Sequence, residues 1–269
     1  MATGRFLVSI VSLLLSHFPT SIVARVPFFF MSQTQQKWFP LESNPQLINE
    51  YLQTLGVDLS LYEFVDVFST EDWALEMIPQ PVAAVLVLYP LTETIQSSRD
   101  RMQGGHLHVE SMQDQVWFIA QRIRNACGTI GLLHAIMNAP PAIRIFQPDS
   151  WMDHFAQDCP IPLSPMAKAE RLEQDTRIAQ LHDAATQSSS NATRRGNRDD
   201  HILTHFVALV HVDGQLYELD GRKPAPICHG PTTQSTLLQD ACKVVQQTMI
   251  QCDPSETRFA ITALAPKLS

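Results

Sequence analysis

The sequence predicts an α/β domain, and three observations carry that reading. A capped helical segment (44–56) leads into two strand-like runs, YEFVDVF (62–68) and VAAVLVLYP (82–90). Helix-period and strand-period segments then alternate as far as RFAITAL (258–264). The chain has 269 residues, 45% of them hydrophobic, enough to bury a core without a disulfide or metal staple.

In order, Asn44-Pro45 reads as an N-cap with proline in the first turn. Leu47, Ile48, Tyr51, Leu52 and Leu55 follow at helical spacing, and Gly56 stops the helix. The run 82–90 is apolar enough for a strand buried on both faces. Residues 95–114 are polar and read as a surface loop, and QVWFIAQ (115–121) as a short extended piece. A helix begins at Cys127, with Ile130, Leu133, Ile136 and Met137 on one flank. Ser164-Pro165 caps another that is expected to run to about residue 183. The polar stretch 185–200 reads as a long loop, a type that usually serves as a lid or binding segment. HFVALVHVDGQLYELDG is a hairpin by its Asp-Gly turn. A helix over about 236–250 and the last strand close the pattern.

Net charge is −8, which argues against a nucleic-acid footprint and favours a basic partner. Five cysteines (Cys127, Cys159, Cys228, Cys242, Cys252) form no CxxC pair and fit a reducing compartment. Residues 1–31 differ from the rest: they carry Arg5 and Arg25, an apolar run and no acidic side chain, so the body 32–269 carries −10. Three readings of this extension stand open: a secretory signal, a mitochondrial presequence, or an upstream start with Met31 as initiator. It is too short and interrupted for a membrane span. The sequon Asn191-Ala192-Thr193 matters only if the protein is secreted.

The hairpin juxtaposes chemistry. A two-residue turn at Asp213-Gly214 sets Val212 opposite Gln215, which carries the register to Asp220 opposite Val207. His205 and Asp220 are then diagonal neighbours on one face, ~7–8 Å apart at Cα. Cys127 opens a helix, where the dipole and unpaired N–H groups favour thiolate. Cysteine, histidine and aspartate supply nucleophile, acid/base and orienting group, and Gln121 can donate to an oxyanion. The chain order Gln, Cys, His, Asp is that of papain-type cysteine proteases. His134 lies seven residues past Cys127 on the same helix, ~10 Å along it, too far for proton transfer. His201, His205 and His211 cluster in sequence, but the spacing suits no zinc site, so no metal is expected.

QRIRNACGTIGLLHAIMN and HFVALVHVDGQLYELDGRKPAPICHG resemble the two active-site blocks of the ubiquitin C-terminal hydrolases, peptidase family C12. The likeness extends to WFPLESNP (38–45), FVDV (64–67), PVAAVLVLYP (81–90) and the closing strand. The resemblance implies a papain-like α+β fold: a mostly antiparallel sheet flanked by helices, with a crossover loop at about 184–203 over the active site. It implies Cys127 as nucleophile, His205 as general base/acid, Asp220 as orienting acid and Gln121 as oxyanion donor. The chain ends soon after the catalytic blocks, as in the family's short branch, so 32–269 is read as the catalytic domain.

The implied activity is thiol hydrolysis of an amide, ester or thioester at the C-terminal glycine of ubiquitin, releasing small or disordered leaving groups without a cofactor. Ubiquitin is the implied partner, with Asp66 and Glu42 as candidates to receive its basic tail. No nucleic acid or membrane partner is expected for the domain, which is read as a monomer. Cytoplasm, with the nucleus, is the compartment consistent with ubiquitin. A catalytically silent ubiquitin-binding protein of the same fold is the alternative. A secreted papain-like protease is a further rival, disfavoured by the odd cysteine count and the lack of a propeptide before Trp38.

Overall fold

The structure is a computed structural model that describes residues 36–103, 115–188 and 202–268. Its centre is a six-stranded antiparallel sheet of β1 (Tyr62–Asp66), β2 (Ala84–Pro90), β3 (Thr204–Val212), β4 (Gln215–Leu219), β5 (Ile227–Pro231) and β6 (Ala260–Pro266). The spatial order is β1-β6-β2-β3-β4-β5, so the last strand slots between the first two. Every ladder among these strands is antiparallel, in keeping with the mostly antiparallel sheet the resemblance implied.

Side chains on successive strand residues point to opposite faces, and the two faces bury separate apolar groups. Ala84 and Leu86 of β2, with Phe206, Ala208 and Val210 of β3, pack on one side. That side carries α1 (Pro45–Leu55) and α4 (Cys127–Met137). Val85, Val87, Val207 and Leu209 point the other way, toward α8 (Leu237–Thr248), α2 (Asp72–Leu75) and Ile95 of α3 (Glu93–Gln103). Both faces of β2 are covered, which explains its near-continuous apolar sequence.

Local signals account for α1. Asn44 Oδ1 accepts from the N–H of Gln46 at 3.0 Å and Leu47 at 3.4 Å, and Gly56 ends the helix at φ 97°. A Cβ there would also sit 2.1 Å from that of Ser150, so only glycine fits. All five apolar positions read from the sequence are buried. The hairpin keeps its expected register from Val212↔Gln215 to Ala208↔Leu219.

The structure corrects two expectations and adds two elements. Residues 95–103 are not a loop: they belong to α3, whose buried positions are Ile95, Ser98 and Arg99, so its inward face carries little apolar signal. The rest of that segment, 104–114, lies outside the described residues. The helix after Ser164 is two helices, α6 (Pro165–Gln174) and α7 (Thr176–Ala185). Asp175 breaks them apart: its extended backbone ends α6, and its Oδ1 accepts from the N–H of Arg177 and Ile178 to start α7. The short α5 (Trp151–Asp158), capped by Ser150, was not foreseen, and neither was β5, whose ladder is irregular. The crossover segment is described only at its ends, by α7 with the residues to Ser188 and by β3; most of 184–203 lies outside.

The start of α4 sits tightly against its surroundings. A Cβ at Gly128 would lie 2.8 Å from Leu41 Cβ and 3.4 Å from Phe206 Cε2. Gly128→Val is therefore expected to cost about 1–3 kcal/mol through overpacking, read as a lower urea midpoint for the full chain.

Candidate active site

Cys127 is the first residue of α4, and the N-cap residue, Ala126, has no side chain that could cap it. Asn125 immediately before it takes a left-handed backbone (φ 62°), a conformation asparagine tolerates better than most residues. Its Nδ2 donates to Trp38 O at 3.1 Å. The first N–H groups of α4 are thus not taken by a capping side chain, and the thiol stands at the positive end of the helix.

His205 reaches this thiol from the other face of the sheet. By alternation it belongs with Val207, Leu209 and its β2 partner Tyr89, whereas α4 lies on the side of Phe206. The β3–β4 ladder has stopped at Ala208↔Leu219, so the imidazole meets both thiol and carboxylate at the sheet's end. Its Nε2 lies 2.7 Å from Asp220 Oδ1. That leaves Nδ1 for the thiol, with which His205 shares a hydrogen bond. Tyr89 supports the ring edge-on, with centroids 5.9 Å apart at 88°.

All three groups are buried: Cys127 is 9% exposed, His205 3% and Asp220 0%. Burial alone would raise the thiol's pKa, but the hydrogen bond and charge of His205, the Phe206 N–H and Arg222 outweigh it and leave the thiol more acidic than usual. Burial likewise works against the imidazolium, and Asp220 and Cys127 reverse that, raising His205. Asp220, despite its burial, is held far below the carboxylate range by His205 and Arg222. The three shifts reinforce one another, since each group's charged form is favoured by the opposite charge beside it.

Gln121 lies beside the same turn. Its backbone N–H donates to Gly221 O at 2.6 Å, next to Asp220, and its Nε2 donates to Ile123 O at 3.1 Å. The amide nitrogen has a second N–H to offer. The extended stretch 115–121 joins no strand of the sheet. Side chains of α4 and of the residue that ends it satisfy it instead: Asn138 accepts from Trp117 N–H and donates to Trp117 O, both at 2.8 Å, and His134 Nε2 bonds Ile119 at 3.2 Å. His134 is stacked on Phe118 at 4.9 Å, and burial pushes its pKa down to about 3. It is neutral at working pH and fixes the Gln121 strand.

Other cysteines behave differently. Burial pushes Cys159 up to about 11 and Cys242 up to about 12, so both are inert core thiols. Cys228 is half-buried on β5, with Sγ 3.7 Å from Gln215 Oε1. Among the described residues no group of three or more His, Cys, Asp or Glu could hold a metal ion, and no helix is long and apolar enough to cross a membrane. His201 lies outside the described residues.

The structure does not gather the two acids expected to meet a basic tail. Glu42 lies in the segment before α1, next to Leu41, which packs on Gly128. Asp66 ends β1, separated from β3 by β6 and β2, on the order of 14 Å at ordinary strand spacing. Sequence reasoning missed a second buried acid, Glu218, and its partner Arg99. The available signal was a glutamate inside an otherwise apolar strand.

Burial raises Glu218, but Arg99 and His229 more than offset this and hold it at about 2. Such a carboxylate adds stability above its unfolded pKa and loses it as pH falls through the folded one. The urea midpoint is therefore expected to fall between pH 4.5 and pH 2, more steeply in the native chain than in Glu218→Gln.

Residues 38–250 match the family model for ubiquitin carboxyl-terminal hydrolase, family 1. The chain belongs to that family. Ubiquitin carboxyl-terminal hydrolase 3 of Arabidopsis thaliana is 39% identical, covering 88% of this chain and 97% of the relative. The human isozyme L1 is 36% identical over 84% of this chain and 96% of its own. Among solved structures, the catalytic domain of Trichinella spiralis UCH37, bound to ubiquitin vinyl methyl ester, shares the fold with a TM-score of 0.68. Identity there is 19%, over 86% of this chain and 96% of that one. As a ubiquitin carboxyl-terminal hydrolase, the chain is a hydrolase of the thiol-protease class, with the papain-like architecture its sequence resembled.

Proposed function

We propose that this hydrolase cleaves amide, ester or thioester bonds at the C-terminal glycine of ubiquitin, using Cys127, His205, Asp220 and Gln121. The observation that carries the reading is the buried line from the Cys127 thiol through His205 to Asp220 at the uncapped start of α4. Thiolate Sγ attacks the glycine carbonyl carbon, and the carbonyl π pair moves onto oxygen. That oxyanion takes hydrogen bonds from the Cys127 N–H and the Gln121 amide. His205 gives its Nδ1 proton to the leaving amine as the C–N bond breaks, leaving a thioester. His205 then takes a proton from water, whose oxygen displaces the sulfur and restores the thiolate–imidazolium pair.

Ubiquitin as partner is supported by the names of the relatives and by the ubiquitin-bound neighbour. Residues 32–269 are proposed as the catalytic domain, with 184–203 crossing its active site. A closed crossing of that length passes a thin strand and not a folded domain, which selects small or disordered leaving groups. Glu42 and Asp66 are proposed as contacts for ubiquitin's basic tail.

The test is turnover of the full chain on a fluorogenic C-terminal ubiquitin amide, and on ubiquitin fused to an unstructured peptide or to a folded domain. Turnover of the first two and not the third is expected. Folded protein that binds ubiquitin without turnover would replace this reading with the silent binding module. Equal cleavage of both fusions would overturn the leaving-group restriction alone.

A further inference from the structure

Behind Asp220 lies a set of buried charges that the proposed reaction leaves unused. Arg99 of α3 is 4% exposed, and its Nη2 meets Glu218 Oε1 and, at 3.5 Å, Asp220 Oδ2. Glu218 is 1% exposed, and its Oε2 lies 3.1 Å from His229 Nε2. The two oxygens of Asp220 are divided between partners. Oδ1 takes His205 Nε2 at 2.7 Å and the Arg222 N–H at 2.9 Å, while Oδ2 faces Arg99. The guanidinium also lies over the Tyr89 ring at 4.5 Å, the same ring that meets His205 edge-on. A buried ion pair is a poor source of net stability, because desolvation consumes much of its attraction. Its contacts run to the carboxylate that orients His205.

We propose that Arg99 and Glu218 are positioning residues for the hydrolysis: Arg99 holds the outer oxygen of Asp220 so that the inner one is aimed at His205, and Glu218 offsets the guanidinium's charge. The inference rests on the reading of Cys127, His205 and Asp220 as the reacting set. Without Glu218, the full positive charge of Arg99 falls on Asp220 and competes with the imidazolium for it. Without Arg99, Glu218 and Asp220 are adjacent buried acids with one cation fewer.

These two losses push in opposite directions. An added positive charge stabilises thiolate and destabilises imidazolium, so Glu218→Gln is expected to move both limbs of the pH profile to lower pH. Arg99→Met adds net negative charge and is expected to move both limbs to higher pH, each by about one unit. The double variant restores the charge balance and should return the limbs to their native places with kcat still reduced about tenfold. Arg99→Lys keeps the charge and should leave the limbs unmoved. The other groups facing the triad remain in every variant: Tyr89 from β2, His134 from α4, Arg222 after β4, His229 from β5, and the Lys223–Asp100 pair beside α3.

The experiment measures two profiles on the full chain: kcat/KM on the fluorogenic ubiquitin amide, and the rate of iodoacetamide alkylation at Cys127, read on its own peptide by mass spectrometry. Opposite shifts that cancel in the double variant support the proposal. Limbs that stay in place while rates or melting temperatures fall would make the pair merely structural. Alkylation needs no ubiquitin, so a native chain without turnover counts against the proposed function and still decides this inference. Glu218→Gln, close in shape to the native residue, stands alone if Arg99→Met does not fold.

Discussion

Cys127→Ala is expected to lower kcat/KM on a C-terminal ubiquitin amide by at least about 10⁴-fold, with the fold intact. Removing a covalent nucleophile leaves only binding and oxyanion stabilisation, and such losses fall in that range or beyond it. The thiol sits at the end of α4, not at its centre, and losing one sulfur there leaves the apolar packing of Ile130, Leu132 and Leu133 in place. Circular dichroism and the urea midpoint should therefore match the native chain within about 1 kcal/mol. Cys127→Ser keeps the shape and tests the element itself, because a hydroxyl beside His205 is not appreciably ionised. Residual turnover in either variant above about 1% of native would move the nucleophile elsewhere.

Asp220→Asn is expected to cost about 10²–10⁴-fold in kcat, with KM little changed. The amide occupies the same space but carries no charge. His205 would then face burial, which lowers its pKa, without the carboxylate that reverses it. Below that lowered pKa the imidazolium persists, and the loss of a buried negative charge favours thiolate while it disfavours imidazolium. Both limbs therefore move to lower pH, the alkaline limb further because Asp220 bonds His205 directly, measured as kcat/KM between pH 4 and 10. Arg222 and Arg99, left facing a neutral group, accentuate the change. An unchanged bell with a uniformly lower rate would mean that Asp220 acts through packing alone.

Much of this arrangement was legible because its signals are local. Asn44, Pro45 and Gly56 sit where a helix needs them, and the five apolar residues between share one face. The Asp213-Gly214 turn fixes the hairpin register, and register alone brings Asp220 near His205. The ladder ends before it reaches those residues, yet the contact forms at the sheet's end, with Asp220 Oδ1 2.7 Å from the imidazole. The extended character of 115–121 shows in the sequence, but its anchoring by Asn138 and His134 does not, since those partners lie at the end of and within the following helix.

The less legible parts depend on long-range pairing. Arg99 and Glu218 are 119 residues apart, and nothing near either one announces the other. Arg99 looks solvated in a polar stretch, and α3 buries a charge where a helix usually shows an apolar stripe. Glu218 stands out between Tyr217 and Leu219 of β4, but its cation Arg99 lies on α3, far away in sequence. Asp175 separates α6 from α7 through its own backbone and carboxylate, while its Oδ2 accepts from Trp151 Nε1 at 2.6 Å, a contact set by α5. In each case tertiary packing overrides a local polar pattern.

The most direct test of the central claim is covalent trapping of the full chain with ubiquitin vinyl methyl ester, followed by peptide mapping of the adduct. The account predicts one adduct, on Cys127, formed with the same pH dependence as turnover and absent from Cys127→Ala. An adduct on Cys228 or Cys252 instead, or turnover with no adduct at Cys127, would contradict it.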